Sequence, residues 1–186
     1  NIMNHLDEII SSTTSQEENN SFFPKEIEGE DQSVALYSDG ACRGNPGIGS
    51  WAYIIQDHEG NILAEDAQAY SMTTNNIMEL SGALYGFIAL KNYFEQNNFS
   101  FEDKKIYLVT DSQYVLKGLK EWVFSWEKKG WKKSDGKAPE NLELWQELKK
   151  VKDLWPKVEF VWVKGHSGHP QNEYCDKRAN EVLDLL

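Results

Sequence analysis

The order in which strand and helix patterns follow one another constrains the fold of this chain more than any other feature of its sequence. Short runs rich in β-branched and aromatic residues predict five strands, and apolar residues that recur every three or four positions predict four helices. The order is β-β-β-α-β-α-α-β-α, so three strands come in series and each later strand follows a helix. Strands in series pair antiparallel, whereas strands reached through helices pair parallel to a neighbour. The sequence therefore predicts an α/β fold with a five-stranded mixed sheet, three antiparallel strands followed by two crossover strands, and helices on both faces.

Turn-forming and capping residues set the boundaries of these elements. Gly, Asn and Pro predict a turn-rich segment over 40–49, and residues 57–61 predict a hairpin. Ser112 is a candidate N-cap for a short helix that ends near Gly118. The predicted strands are 34–38, 51–56, 62–70, 105–109 and 158–163, and the predicted helices are 75–94, 112–118, 139–152 and 172–185.

Charge divides the chain into two parts. The sequence of 186 residues has a formal net charge of −11, which argues against a nucleic-acid partner because phosphate contacts need Lys and Arg. However, residues 1–33 hold eight acids and one base, whereas residues 34–186 hold 22 acids and 18 bases. We therefore expect an acidic, flexible N-terminal extension over 1–33 and a much less acidic folded domain over 34–186.

Two short stretches of the extension contain apolar residues. Residues 2–10 have isoleucine and leucine at helical spacing, which predicts one or two amphipathic turns. Residues 11–20 are polar and are expected to be flexible. Phe22, Phe23 and Pro24 are apolar again, and we expect them to attach the extension to the domain.

Cysteine content and hydropathy predict a cytoplasmic protein. Cys42 and Cys175 are too few to staple a small secreted fold, and they form no CxxC pair for zinc. No apolar run approaches the roughly 18 residues of a membrane-spanning helix. Residues 1–33 also lack the features of a signal or transit peptide. We therefore expect two reduced thiols and no membrane partner.

Four carboxylates are candidates for a common site. Asp39 and Asp111 end the first and fourth predicted strands, which would be parallel neighbours, so both point to one edge of the sheet. Glu79 lies in the first turns of the long helix, and Asp176 opens the last helix. Converging carboxylates repel unless a cation lies between them, and an all-oxygen set suits Mg²⁺ or Mn²⁺. Two such ions bridged by a carboxylate can cleave a phosphodiester. Taken singly, each Asp could instead be a turn former or helix cap, and Glu79 could pair with a surface lysine.

The segments around these acids are YSDGACRGNPG, TTNNIMEL, VTDSQYVLKG and WVKGHSGHPQNEYCDKRA, and WVFSWEKKGWKKSDGKAPENLELW lies between the last two. Together these segments resemble the type 1 ribonuclease H family, bacterial ribonuclease HI in particular. The resemblance covers about residues 33–186. It implies a ribonuclease H-like fold and an endonuclease that hydrolyses the RNA strand of RNA–DNA hybrids with two Mg²⁺ ions, for which Mn²⁺ can substitute. The products would carry 5′-phosphate and 3′-hydroxyl ends, the partner would be the hybrid duplex, and the protein would act as a monomer.

The resemblance also assigns roles to the charged residues of the site. Asp39 would bridge both metals, Glu79 and Asp111 would complete one metal site, and Asp176 the other. His166 matches the family's loop histidine, which assists water activation or product release. Of the other histidines, His169 is expected to be structural and His58 to be solvated in its hairpin.

Small residues and amides would line the substrate groove, because a hybrid nuclease must detect 2′-hydroxyl groups at close range. By resemblance, Asn45 and Thr74 match positions that hold a DNA phosphate, and Gln113 lies near the scissile strand. Read without its neighbours, Gly44–Gly47 would be a tight turn and nothing more. The remaining residues that the resemblance places along the groove are Gly40, Ala41, Cys42, Asn75, Asn76, Ile77 and Met78.

Residues 117–137 resemble the family's basic protrusion, a helical handle that grips the DNA strand. They hold seven lysines and three acids, a net charge of +4 in an acidic protein. Lys128 and Lys129 would bind phosphate, and Trp122 is the best candidate for a substrate contact. Four further tryptophans have less specific expectations. Trp126 and Trp131 either stack on the substrate or pack the handle onto the body, while Trp145 and Trp162 belong to the core.

Two alternatives remain beside the enzyme. A hybrid-binding module without chemistry would share the fold, although the presence of all four carboxylates and the histidine weighs against it. The chain could also be the ribonuclease H portion of a retroelement polyprotein, to which the non-Met start gives slight support. Residues 1–33 do not resemble the basic, aromatic hybrid-binding module of many eukaryotic members. We expect them to compete weakly with the substrate for the handle through their charge.

Overall fold

The computed structural model of the protein describes residues 22–186, which form a five-stranded sheet with helices on both faces. The strands lie in the order β3-β2-β1-β4-β5, with β1–β2 and β2–β3 antiparallel and β1–β4 and β4–β5 parallel, as predicted. The strands are β1 (Ser33–Arg43), β2 (Gly47–Asp57), β3 (Ile62–Thr73), β4 (Lys105–Thr110) and β5 (Val158–Trp162). The helices are α1 (Asn75–Gln96), α2 (Gln113–Lys117), α3 (Val123–Lys128), α4 (Leu142–Lys152) and α5 (Pro170–Asp184).

Successive side chains of the central strand β1 point alternately into two hydrophobic cores, one on each face of the sheet. Val34 and Leu36 of β1 point into the larger core, where they pack with α1, α2 and α4. Ala35 and Tyr37, one position on, point into the smaller core beneath α5. Successive side chains of a strand leave opposite faces, so the sheet is apolar on both sides and each side needs a helical layer.

The first two strands are longer than predicted. Gly, Asn and Pro indicated a turn from residue 40, but β1 and β2 continue to pair up to Arg43 and Ile48. The turn is therefore only Gly44–Pro46, and Asp39 lies inside a strand rather than at its end. The reason is that β2 accompanies β1 well beyond the point where the shorter β4 stops.

The handle contains a helix that the predicted order lacks. A π-type turn over Gly118–Trp122 follows α2 directly and leads into α3. Leu119, Trp122, Val123 and Trp126 are spaced at helical intervals, a signal that the alternation of Trp and Lys obscured. The next helix, α4, begins at Leu142 rather than at 139, after Asn141 in a left-handed conformation.

Residues 22–33, here called the N-terminal segment, pack onto the smaller core. Ile27 lies in a 3₁₀ turn and is fully buried there. The carbonyl oxygen of Phe22 accepts hydrogen bonds from the side-chain amides of Gln56 and Gln171, which confirms the predicted attachment at this point. The expected boundary at 33 is therefore too late, since the packed part of the chain includes residues 22–33. The predicted helical turn over 2–10 and the flexible stretch over 11–20 lie outside the described residues.

None of the helices between residues 22 and 186 combines the length and the apolar character that crossing a bilayer requires.

Candidate active site

Asp39 and Asp111 occupy equivalent positions on two neighbouring parallel strands. The ladder between β1 and β4 ends with the pair Tyr37 and Val109, and each Asp lies two residues beyond that pair. Ligands of α/β sheets gather outside the carboxyl ends of parallel strands. The register thus brings the two carboxylates to one edge, as the sequence predicted, although β1 itself runs on. Asp39 is only 6% exposed.

Glu79 reaches the same edge because α1 packs unusually close to β1. A Cβ atom on Gly40 would lie 2.5 Å from the backbone nitrogen of Glu79, and one on Gly82 would lie 2.9 Å from the carbonyl oxygen of Asp39. Glycine is therefore required at both positions for this approach. The Glu79 carboxylate accepts hydrogen bonds from the Ser112 hydroxyl at 2.6 Å and from the Asn75 amide at 3.5 Å.

Asp176 lies in the second turn of α5, not at its start as predicted, because the helix begins at Pro170. The Asn180 amide donates to its carboxylate at 3.3 Å and to its backbone carbonyl at 2.9 Å. Cys175 beside it is buried against β1 and donates to the carbonyl oxygen of Tyr37 at 3.7 Å. Burial raises the pKa of the Cys175 thiol well above its usual value, and the nearby acids raise it further.

The four carboxylates Asp39, Glu79, Asp111 and Asp176, here called the acid centre, repel one another. Burial raises the pKa of Asp39 well above its ordinary value, and the charges of the other three acids raise it further. Burial also raises the pKa of Glu79, against the hydrogen bond from Ser112 that lowers it. An assembly of buried carboxylates is unfavourable by itself and becomes favourable when a cation lies among them.

The carboxylate oxygens of the acid centre are suitable ligands for a hard divalent cation, but they lie further apart than the ligands of a coordination shell. Among residues 22–186, no three Asp, Glu, His or Cys side chains stand close enough together to hold a metal. Carboxylates repel one another over longer distances than those at which they coordinate a metal. The repulsion within the acid centre is therefore compatible with this wide spacing. Oxygen ligands suit Mg²⁺ or Mn²⁺ rather than zinc.

The loop between β5 and α5 borders the acid centre. A Cβ atom on Gly165 would lie 2.7 Å from Oδ2 of Asp111, so the loop backbone rests against that carboxylate. The next residue, His166, is exposed and has a left-handed φ of 55°. His169 at the end of the loop is buried and caps α5 through Nδ1, which accepts from the backbone N–H of Asn172 at 3.1 Å. The predicted structural role of His169 is confirmed.

A polar pocket of about 430 Å³ lies at the N-terminus of α1. Asn45 and Thr74 both line it, and both cap this helix end: Asn45 Oδ1 accepts from the backbone N–H of Asn75, and Thr74 Oγ1 from that of Ile77. The positive end of a helix favours an anion. Two lining residues, Glu140 and Asn141, were not predicted from the sequence; the full lining is Asn45, Thr74, Asn76, Ile77, Glu140 and Asn141.

Other predicted groove residues follow the acids of the centre along the chain. Gly40 and Ala41 continue β1 beyond Asp39, and Cys42 donates its thiol to the carbonyl oxygen of Gly44 at 2.7 Å. Gln113 is the exposed first residue of α2, directly after the Asp111 turn.

An aromatic cluster supports the handle. Trp145 is fully buried, as predicted, and its ring centroid lies 6.2 Å from that of Trp122 and 5.9 Å from that of Trp126. Trp122, Trp126 and Trp131 are all half-buried and pack against the larger core. Lys128 and Lys129 are exposed above this cluster, and a groove of about 420 Å³ runs beside Trp122 and Lys129.

Trp162 was predicted to be a core residue, and this prediction is wrong. It ends the edge strand β5 and is 48% exposed. Its indole N–H donates to the carbonyl oxygen of Asp111 at 3.1 Å. An edge strand has no neighbour to cover its last side chain, and this indole instead supports the turn that carries Asp111.

Comparison with known proteins finds similar sequences and folds. A family model described as RNase H matches residues 31–184. The chain is 43% identical over 158 residues to the ribonuclease H of Dechloromonas aromatica, covering 84% of this chain and 97% of that protein. It is 43% identical over 152 residues to the ribonuclease H of Novosphingobium aromaticivorans, covering 80% of this chain and 95% of that protein.

Among solved structures, LC9-RNase H1, described as a type 1 RNase H with the type 2 active-site motif, superposes with a TM-score of 0.68 at 32% identity, covering 83% of this chain and 73% of that one. LC11-RNase H1 in complex with an RNA/DNA hybrid shares the fold, with a TM-score of 0.62 at 24% identity, covering 82% and 97%.

Proposed function

The chain belongs to the ribonuclease H family, and from this premise we propose that its acid centre hydrolyses the RNA strand of RNA–DNA hybrids. The observation that carries the proposal is the convergence of four carboxylates, one of them buried, at the carboxyl end of the parallel ladder. Such a cluster is costly for a protein that only binds nucleic acid, since it repels phosphate. A centre that holds cations against a phosphodiester accounts for it.

Each acid has a separate part in holding the cations. Asp39 is central, since all three other carboxylates act on it, and it is suited to bridge two ions. Glu79, oriented by Ser112, and Asp111 would complete one site, and Asp176 the other. Mg²⁺, or Mn²⁺ in its place, would supply the charge that activates the attacking water and stabilises the departing oxygen.

His166 is proposed to carry a proton to or from the reacting groups. Its neighbour Gly165 lies against Asp111, so the imidazole stands at the rim of the acid centre. It is exposed and thus accessible to substrate and water. An imidazole there can act as a general acid or base and assist release of the cleaved strand.

The DNA strand is proposed to bind at two places outside the acid centre. The pocket at the N-terminus of α1 offers Asn45 and Thr74 to a phosphate. Lys128 and Lys129 add charge on the handle, and Trp122 borders the adjacent groove. Between these places the groove residues Gly40, Ala41, Cys42, Asn75, Asn76 and Gln113 would meet the minor groove of the hybrid.

We also propose that the protein acts as a cytoplasmic monomer. One chain contributes the acids, the pocket and the handle, so the site is complete without a partner. The two thiols, Cys42 and Cys175, are both free, as expected of a reducing compartment.

Cleavage of a labelled RNA–DNA hybrid with and without Mg²⁺ tests the proposal. Asp111→Asn is expected to lower the rate at least about a thousandfold, because the variant removes a cation ligand. Asp66→Asn, an exposed residue of β3, is the matched control and should keep the wild-type rate. Activity retained by Asp111→Asn would overturn the assignment of that ligand, and equal cutting of duplex DNA the specificity. Binding without cleavage by the wild-type protein would identify a module without chemistry.

A further inference from the structure

A buried hydrogen-bond network joins the N-terminal segment to the loop that carries His166. The side chains of Glu26 and His169 are only 8% and 5% exposed, and Nε2 of His169 lies 2.5 Å from Oε1 of Glu26. The hydroxyl of Tyr37 donates to the other oxygen of Glu26 at 2.7 Å. Both carboxylate oxygens are therefore engaged inside the protein.

The network fixes the tautomer of His169. Its Nδ1 accepts a hydrogen bond from the backbone N–H of Asn172, and a ring nitrogen that accepts carries no proton. The ring proton is thus on Nε2 and is donated to Glu26. Burial acts to raise the pKa of Glu26, but the hydrogen bonds from His169 and Tyr37 hold the pKa below its usual range, so the carboxylate remains ionised.

His169 in turn anchors both sides of the candidate active site. It is the N-cap of α5, the helix that carries Asp176. It also ends the loop that begins after β5, whose Gly165 rests on Asp111. Inside the loop, the Ser167 hydroxyl donates to the Lys164 carbonyl at 2.5 Å, which closes a turn around Gly165 and His166.

We propose that Glu26 is a positioning residue for hybrid cleavage, which holds His166 and the start of α5 in place by fixing His169. This inference rests on the proposed function. Glu26 lies outside residues 31–184, which the RNase H family model matches. The N-terminal segment therefore adds a support to the loop from beyond the matched domain.

Steady-state kinetics on a labelled hybrid test this role. Glu26→Ala is expected to lower kcat about tenfold while KM for the hybrid stays within about twofold, because the loop loses its position but the handle does not. Glu26→Gln keeps an acceptor oxygen for Nε2–H and should recover most of kcat. Glu30→Ala is the matched control: Glu30 belongs to the same segment and accepts from Tyr107 at 2.6 Å and Ser33 at 2.9 Å, both in the sheet.

The Nε2 proton of His169 provides a measurement that does not depend on activity. ¹H–¹⁵N spectra of the imidazole should show a slowly exchanging Nε2–H in the wild type and in Glu30→Ala. In Glu26→Ala this proton loses its acceptor and should exchange faster with water, together with the backbone amide of Asn172. Equal kcat values for Glu26→Ala and Glu30→Ala, or an unchanged Nε2–H exchange rate in Glu26→Ala, would overturn the positioning role. A wild-type protein that leaves the hybrid intact contradicts the proposed function instead, and the spectra still test the link from Glu26 to His169.

Discussion

The acid centre and the handle are built in opposite ways. The acid centre relies on close backbone approach, since Gly40 and Gly82 let α1 touch β1 and so fix Glu79 beside Asp39. The handle relies on an aromatic cluster beneath the exposed lysines Lys128 and Lys129. Chemistry at a phosphodiester needs atoms held within a fraction of an ångström, whereas attraction of a phosphate backbone needs only charge. Variants of the acid centre should therefore lower kcat, whereas variants of the handle should raise KM and weaken its dependence on salt, and the two effects should also differ in size.

Among the variants that compare these two regions, the largest effect is expected from a single methyl group added at the acid centre. In Gly165→Ala the new Cβ would lie 2.7 Å from Oδ2 of Asp111, so the carboxylate or the loop must shift. We expect kcat to fall about a hundredfold, because misplacement of that order costs as much. The slope of log KM against log salt should stay at the wild-type value. A wild-type kcat in Gly165→Ala would contradict the demand for fixed geometry at this edge.

A smaller effect of a different kind is expected from the handle. The double variant Lys128→Ala/Lys129→Ala should raise KM about tenfold at moderate salt, lower the salt slope by about 2, and leave kcat unchanged. Lys104→Ala/Lys157→Ala removes the same charge beside the amino ends of β4 and β5, at the opposite end of the sheet, and is the matched control. If both double variants behave alike, net charge rather than the handle attracts the hybrid.

The smallest effect concerns stability without metal. Burial and the neighbouring acids raise the pKa of Asp39, so from about pH 4 upward the native state holds a proton that the unfolded state has lost. The free energy of unfolding then falls as the pH rises through this window, and the loss persists at pH 7. Asp39→Asn should therefore raise the free energy of unfolding by about 1 kcal/mol at pH 7 in EDTA, as measured by urea titration, with no gain below pH 4.

Metal and a second Asp give the controls for that measurement. Mg²⁺ should stabilise the wild type more than Asp39→Asn, because it binds the native acid centre. Asp66→Asn on the exposed surface of β3 should change little. A metal-free wild type that equals Asp39→Asn at pH 7 would show that the acid centre carries no electrostatic strain.

Sequence patterns predicted the parts of the fold that depend on local residue type. The β-branched runs located all five strands, and the parallel neighbours β1 and β4 place Asp39 and Asp111 at one edge by register alone. The sequence patterns gave wrong predictions where the pairing and position of a strand outweighed its local residue types. Glycine and proline suggested a turn from residue 40, yet pairing with β2 keeps the chain extended to Arg43. Trp162 has the large aromatic side chain that is typical of a core residue, but it lies exposed at the end of an edge strand.

The sequence by itself determined the order of the strands, the motifs that identify the family, and which carboxylates could meet. Only the tertiary structure decided how firmly they are held. Glu26 belongs to a segment whose acidity suggested a flexible tail, yet it is buried against His169, 143 residues further along the chain. Burial depends on neighbours that are remote in sequence, and composition averages over them. The sequence shows that a residue carries a charge, whereas the residue that pairs with this charge is known only from the folded structure.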